Sequence, residues 1–289
     1  MEHVRWHSRP ELRTPVLVAA FTGWNDAADA ASNAVQAMIE GWSATPLASI
    51  DPEEFTDYAS TRPHVRLTDG VTRDIVWPTV SMWSASTPGG DVILVLGPEP
   101  SLRWRLFGEQ VIAVASEFAC PMVITLGALL ADVPHSRAVQ VIGTASDGEI
   151  VERFGLEKSR YEGPTGIVGV LHDACSKAGL SSASLWAATP AYASQVTSPK
   201  AALALVRRAA AMIGTPPPVG AFASDVGEYE TQVDELISDD EDLPGYVRRL
   251  EEMADSEADG GATEAEAIDP AQSSEQLIEE LERFLRDQG

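Results

Sequence analysis

Four short segments hold the side chains that could do chemistry, and each lies close to an apolar run or a helical pattern. The first is Thr22-Gly23-Trp24-Asn25-Asp26-Ala27-Ala28. Its glycine permits a sharp exit from a strand, and Asp26 stands where a helix N-cap belongs. Asn25 and Asp26 could instead face a ligand, with Asp26 as an acid. The second is Gly97-Pro98-Glu99-Pro100-Ser101-Leu102-Arg103-Trp104-Arg105. Glu99 and Arg103 are candidates for ligand contact, since an arginine fork suits a phosphate or carboxylate. Arg103 and Arg105 are two apart, so on a helix they do not share a face. Trp104 and Arg105 have the composition of a subunit interface.

Asp132-Val133-Pro134-His135-Ser136-Arg137 is the third segment, with an acid, an imidazole and a guanidinium close together. Histidine is the usual proton handler, so His135 with Asp132 forms a candidate acid–base pair. Pro134 holds Val133 extended, however, so the two side chains need not face each other. His135 and Arg137 are equally candidates for a subunit interface. The fourth is Tyr161-Glu162-Gly163-Pro164-Thr165-Gly166-Ile167-Val168-Gly169. Glycines before a helix leave backbone donors for an anion, which makes Gly163 and Thr165 ligand candidates. The spacing is G-x-x-G-x-x-G, which is not a dinucleotide fingerprint. The phosphate-loop, serine-elbow and H-E-x-x-H patterns are absent from the sequence. His3, His7, His64 and His172 are scattered, and Cys120 and Cys175 stand far apart. Neither a metal nor a cofactor is expected.

Elements able to position these loops alternate along residues 1–215. Val16–Phe21, Val92–Leu96, Met122–Leu126, Val139–Gly143 and Ser184–Ala188 read as strands, and continuous apolar runs fit strands covered on both faces. Between them, Ala31 to Trp42, Val111 to Phe118, Gly166 to Ala178 and Pro199 to Ile213 read as helices, the last capped by Ser198. The order predicts an α/β core of residues 1–215 with a mostly parallel sheet between helical layers. Arg66–Arg73 reads as a hairpin turning at Asp69-Gly70.

After Thr215-Pro216-Pro217-Pro218 the composition changes. Residues 225–289 hold 22 acidic and 4 basic side chains, against 22 and 16 before them, within a chain of 289 residues and net charge −24. Residues 219–289 therefore read as an acidic helical extension. Amphipathic helices are expected up to Ile237 and around Tyr246–Met253, then a disordered linker at 255–270. A last helix over 271–289 carries Leu277, Leu281, Phe284 and Leu285 on one stripe. Such negative charge excludes nucleic acid and anionic membrane as partners, and an acidic arm suits other proteins with basic surfaces. No apolar run reaches the roughly 18–20 residues of a membrane span, and Met1–Trp6 has no signal-peptide character. A cytoplasmic protein is expected.

The four loops in this order, with Ser184-Leu185-Trp186-Ala187, Pro190-x-Tyr192 and Ser198-Pro199-Lys200-Ala201, resemble the proteasome assembly chaperone family, type two, in its actinobacterial branch. The resemblance implies a fold similar to purine nucleoside phosphorylases and a homo-oligomer, with a trimer as the expectation. It also implies a role in protein interaction or assembly, without catalysis. Family members that dock on proteasomes tend to end in hydrophobic–Tyr–any residue, whereas the last tyrosine here is Tyr246. The alternative is an enzyme or binding protein for a nucleoside or another small phosphate- or carboxylate-bearing molecule. It would use Gly23, Asn25, Arg103, His135 and Thr165 at the carboxyl edge of the sheet.

Overall fold

The computed structural model describes residues 2–159, 161–222 and 224–260. In chain order they form β1 (Val4–Trp6), β2 (Val16–Thr22), α1 (Ala30–Gly41), β3 (Thr45–Ile50), β4 (His64–Thr68) and β5 (Thr72–Val76). Next come β6 (Val80–Thr87), β7 (Gly90–Pro98), α2 (Trp104–Glu117), β8 (Met122–Ala131), β9 (Val141–Ala145) and α3 (Gly148–Phe154). The rest are α4 (Ile167–Lys177), β10 (Ser181–Pro190), α5 (Pro199–Ile213), α6 (Asp225–Ser238) and α7 (Leu243–Gly260).

Eight strands make one mixed sheet in the order β1-β3-β6-β7-β2-β8-β10-β9, and β4 and β5 pair only with each other. The four central strands β7, β2, β8 and β10 are parallel, as expected. At the margins the sheet is antiparallel, through β6, β3 and β1 on one side and β9 on the other. For β6 and β7 the reason is connection length. Parallel neighbours need a crossover of a dozen or more residues, whereas β6 and β7 are joined by Pro88 and Gly89 alone.

The central strands are sealed on both faces. Val18 and Ala20 of β2 lie in a core with α1 and α5, while Leu17, Ala19 and Phe21 lie in another with α2 and α4. All five are fully buried, which is why β2 reads as an unbroken apolar run. On the second face Phe107 stands edge-on to Phe21 and Phe55, with ring centroids 5.8 and 5.5 Å apart. Ser101 and Leu102 donate backbone hydrogen bonds to the Phe55 carbonyl. That aromatic stack thus holds the loop after β7.

Three departures concern extent. Helix α2 begins at Trp104, seven residues before the expected start. Helix α3 had no counterpart in the expectation. Helix α7 continues to Gly260, so residues 255–260 are helical where a disordered linker is expected. Residues 261–270 and the helix expected over 271–289 lie outside the described residues. No helix among the described residues is long and apolar enough to cross a membrane.

A polar network crosses the interior between α4 and the sheet. His172 meets the Thr125 hydroxyl at 3.0 Å and the Ser182 hydroxyl at 2.8 Å, and Ser184 accepts from both Thr125 and the Trp186 indole. Burial pushes His172 down to about 4. Between about pH 6.5 and 4 the unfolded chain therefore binds a proton that the folded chain refuses, so stability is lost as pH falls through that window. The gap corresponds to about 3 kcal/mol. Urea unfolding at pH 7 and pH 4 should show His172→Gln losing less stability than the parent by about that amount. Equal losses would contradict this account of the ring.

Candidate functional site

Loops after β2 and β7, and the loop before α4, converge at the carboxyl edge of the sheet, where its strand order reverses. Gly23 leaves β2 with φ +123°, a value that favours glycine. The chain then turns so that the Asn25 carbonyl accepts from Ala128 N–H at 2.9 Å. Asn25 is 2% exposed, and its amide donates to Glu99 Oε1 at 2.9 Å. Ile167 N–H, at the start of α4, donates to the same oxygen at 2.7 Å. The anion expected at this helix N-terminus is thus supplied by the chain itself. Gly166 makes the approach possible: a Cβ there would stand 2.5 Å from the Asn25 amide nitrogen and 2.8 Å from Glu99 Oε1.

Asp26 lies beside this node and caps α1 from four residues before its start. Its Oδ1 accepts from Ala31 and Ser32 N–H at 2.7 and 3.0 Å, and its buried Oδ2 has no hydrogen-bond partner. Desolvation raises the proton affinity of both Asp26 and Glu99, more than their hydrogen bonds lower it. Gly23, Asn25, Asp26 and Glu99 are therefore brought together as the sequence suggests. Arg103, Gly163 and Thr165 are not part of this node. Arg103 is exposed, sits at φ +51° before α2 and pairs with Glu54. Gly163 packs against Tyr161, and Thr165 is exposed near Gly169.

The third loop has a different fate. Asp132 and His135 do not pair, as the conformation imposed by Pro134 allows. His135 is 4% exposed; its Nδ1 lies 2.9 Å from the Tyr192 hydroxyl and its Nε2 3.0 Å from Asp234 on α6. Asp132 accepts from the Tyr246 hydroxyl on α7 at 2.6 Å. Arg137 grips Asp255 through Nε and a terminal nitrogen at 2.6 and 2.7 Å and reaches Glu251 at 3.3 Å. Lys200, at the start of α5, donates to the His135 carbonyl and to Glu230 on α6, both at 2.6 Å. The candidate acid–base pair is thus dispersed, and the acidic helices meet a basic surface of their own chain. The sequence places His135 and Arg137 at a subunit surface, but the partners described here belong to the same chain. Trp104 donates to the Pro100 carbonyl at 2.5 Å, and Arg105 is exposed on α2.

Apolar contacts accompany these charges. Tyr229, Val233 and Ile237 of α6 and Val247 of α7 form a cluster with Ala193 and Val196 after β10. A cavity of about 110 Å³ remains below them, lined by His135, Arg137, Lys200, Tyr229 and Leu250 among others. The sequence assigns Tyr192 and Lys200 no role beyond the resemblance, and it assigns the acids of α6 and α7 to basic surfaces of other proteins, whereas here they meet basic groups of their own chain.

The PAC2 family model matches residues 20–237, which include all four loops and β10. The chain belongs to the PAC2 family. A PAC2 family protein from Streptomyces avermitilis is 44% identical over 81% of this chain and 99% of its own, with a TM-score of 0.75. A proteasome-assembly chaperone homologue from Mycobacterium tuberculosis is 43% identical over 80% of this chain and 99% of its own, with a TM-score of 0.73. An archaeal proteasome activator from Pyrococcus furiosus is 15% identical over 81% of this chain and 97% of its own, and its TM-score of 0.67 shows a shared fold. No curated protein matches. PAC2 membership bears out the resemblance carried by the loops, and the Streptomyces and Mycobacterium relatives named above are actinobacterial.

Proposed function

We propose that this PAC2 protein is an assembly factor for an oligomeric protein complex, with proteasome subunits as its partners, and that it acts without catalysis as a homo-oligomer, a trimer. The observation that carries the reading is how the carboxyl edge is occupied. Asn25, Glu99 and the start of α4 bond to one another, while Asp132, His135, Arg137 and Lys200 bond to α6 and α7. Side chains that a small substrate would need are thereby engaged within the chain, which favours an interaction protein over a nucleoside-binding enzyme. Relatives described as a proteasome-assembly chaperone homologue and a proteasome activator supply the partner class.

Assembly supplies the test. Separately purified actinobacterial proteasome subunits, mixed with and without the full chain, are followed by native mass analysis. The expected result is a transient complex containing the chain and faster formation of complete particles. Unchanged assembly kinetics with no such complex would overturn the reading. A cytoplasmic setting fits this proposal, as do two buried cysteines outside any disulfide.

A further inference from the structure

The β4–β5 ribbon stands apart from both cores. All ten of its strand residues are exposed, and it bonds to no strand of the main sheet. Two-stranded ribbons are marginal in water unless one face is covered, and this one is strongly sided. The register sets Val65 opposite Ile75 and Leu67 opposite Arg73 on one face; Arg66 opposite Asp74, Thr68 opposite Thr72 and His64 opposite Val76 occupy the other. Val65, Leu67 and Ile75 are 62, 55 and 57% exposed, and Val71 at the tip is 84% exposed. On a chain of net charge −24, an apolar face that carries Arg73 suits an apolar groove with an acid on its rim.

A socket of that character lies between α2 and α4. The groove is about 430 Å³, floored by Ile112, Ala113, Val170 and Ala174, with Glu109 and Asp173 on its rim beside Arg105 and Lys177. Arg73, which shares the apolar face, complements Glu109 on the rim, and Asp69 at the ribbon's tip complements Arg105.

We infer that the ribbon of one copy seats its Val65–Leu67–Ile75 face in the α2–α4 groove of a second copy of this chain. Such a contact joins two different surfaces, so repeating it by rotation closes a ring. The inference rests on the proposed self-association and names the surfaces that build it.

The ring has a direct test in full-length chains by light scattering. Leu67→Glu with Ile75→Glu spoils the ribbon, and Ala113→Arg fills the groove from its accessible side. None of these positions is buried, and circular dichroism confirms that each variant is folded. Wild type should have a mass that is a multiple of 30.9 kDa, and each variant alone should fall to one chain. An equimolar mixture of the two variants should restore one intact ribbon-and-groove contact and run at about twice the chain mass. A monomeric wild type would overturn both self-association and this inference. An oligomeric wild type with either variant still oligomeric, or two monomeric variants that do not pair on mixing, would overturn the inference alone.

Discussion

Val233→Asp releases α6 and α7 from the carboxyl edge of the sheet. Val233 is fully buried among Tyr229, Ile237, Val247, Ala193 and Val196. A carboxylate placed there is desolvated inside an apolar cluster, which costs several kcal/mol. That is comparable to the whole stability of many domains, about 5–15 kcal/mol, and the added charge acts first on the helices that carry it. Hydrogen exchange should therefore show protection lost across 225–255 while β2, β7, β8 and β10 stay protected. His135 and Lys200 would lose their partners on α6 and become accessible. Unchanged exchange in α6 would show that the apolar cluster does not hold the extension. Simultaneous loss in the central strands would show that the expected division after residue 215 separates no independent unit.

Legibility in the sequence followed physical range. Runs such as Val16–Phe21 announce central strands because both faces are covered, so every side chain is apolar. Strands β3 and β6 hide for the opposite reason. Pro46 and a register irregularity before Ala48 interrupt β3, and β6 alternates serines with Met82 and Trp83. The direction of the central strands is legible from the strand–helix alternation, whereas the antiparallel margin is not, since β3, β6 and the Pro88-Gly89 turn escape that pattern. The Asp69-Gly70 turn was plain because both residues adopt positive φ, which is the local chemistry of such a turn.

The site divided in the same way. Gly23, Asn25 and Asp26 are neighbours in sequence, but Glu99 lies 74 residues from Asn25 and 68 from Ile167. No spacing rule spans such separations; only the gathering of loops at the carboxyl edge of a parallel sheet suggests that they meet. Charges on α6 and α7 read as an arm for other proteins because their partners within the chain are remote. Asp234 reaches His135 across 99 residues and Asp255 reaches Arg137 across 118. Net charge counted along the chain foretells an affinity for cations without saying whose.

Gly166→Ala should destabilise the fold by about 2–4 kcal/mol, combining overpacking with loss of hydrogen bonds. Gly166 has φ −92° and ψ −171°, extended backbone that alanine adopts freely, so the cost is purely one of space. The new methyl would stand within 2.6 Å of both polar atoms of the Asn25 amide and 2.8 Å from Glu99 Oε1. Asn25 and Glu99 cannot both retreat without breaking their mutual bond or the one from Ile167 N–H. Glu99→Ala alone should cost about 1–3 kcal/mol by leaving the Asn25 amide and Ile167 N–H unpaired. The double variant decides between a local steric effect and a general disturbance. Removing the Glu99 side chain removes one of the three close contacts and frees Asn25 to move from the other two, and no Glu99 hydrogen bond is left to lose. Denaturant unfolding of the four proteins should therefore give a double-variant loss smaller than the sum of the single losses by about 1 kcal/mol or more, the scale of coupling between touching residues. Strict additivity would mean that Gly166 and Glu99 act separately, and the node joining β2, β7 and α4 would lose its physical basis.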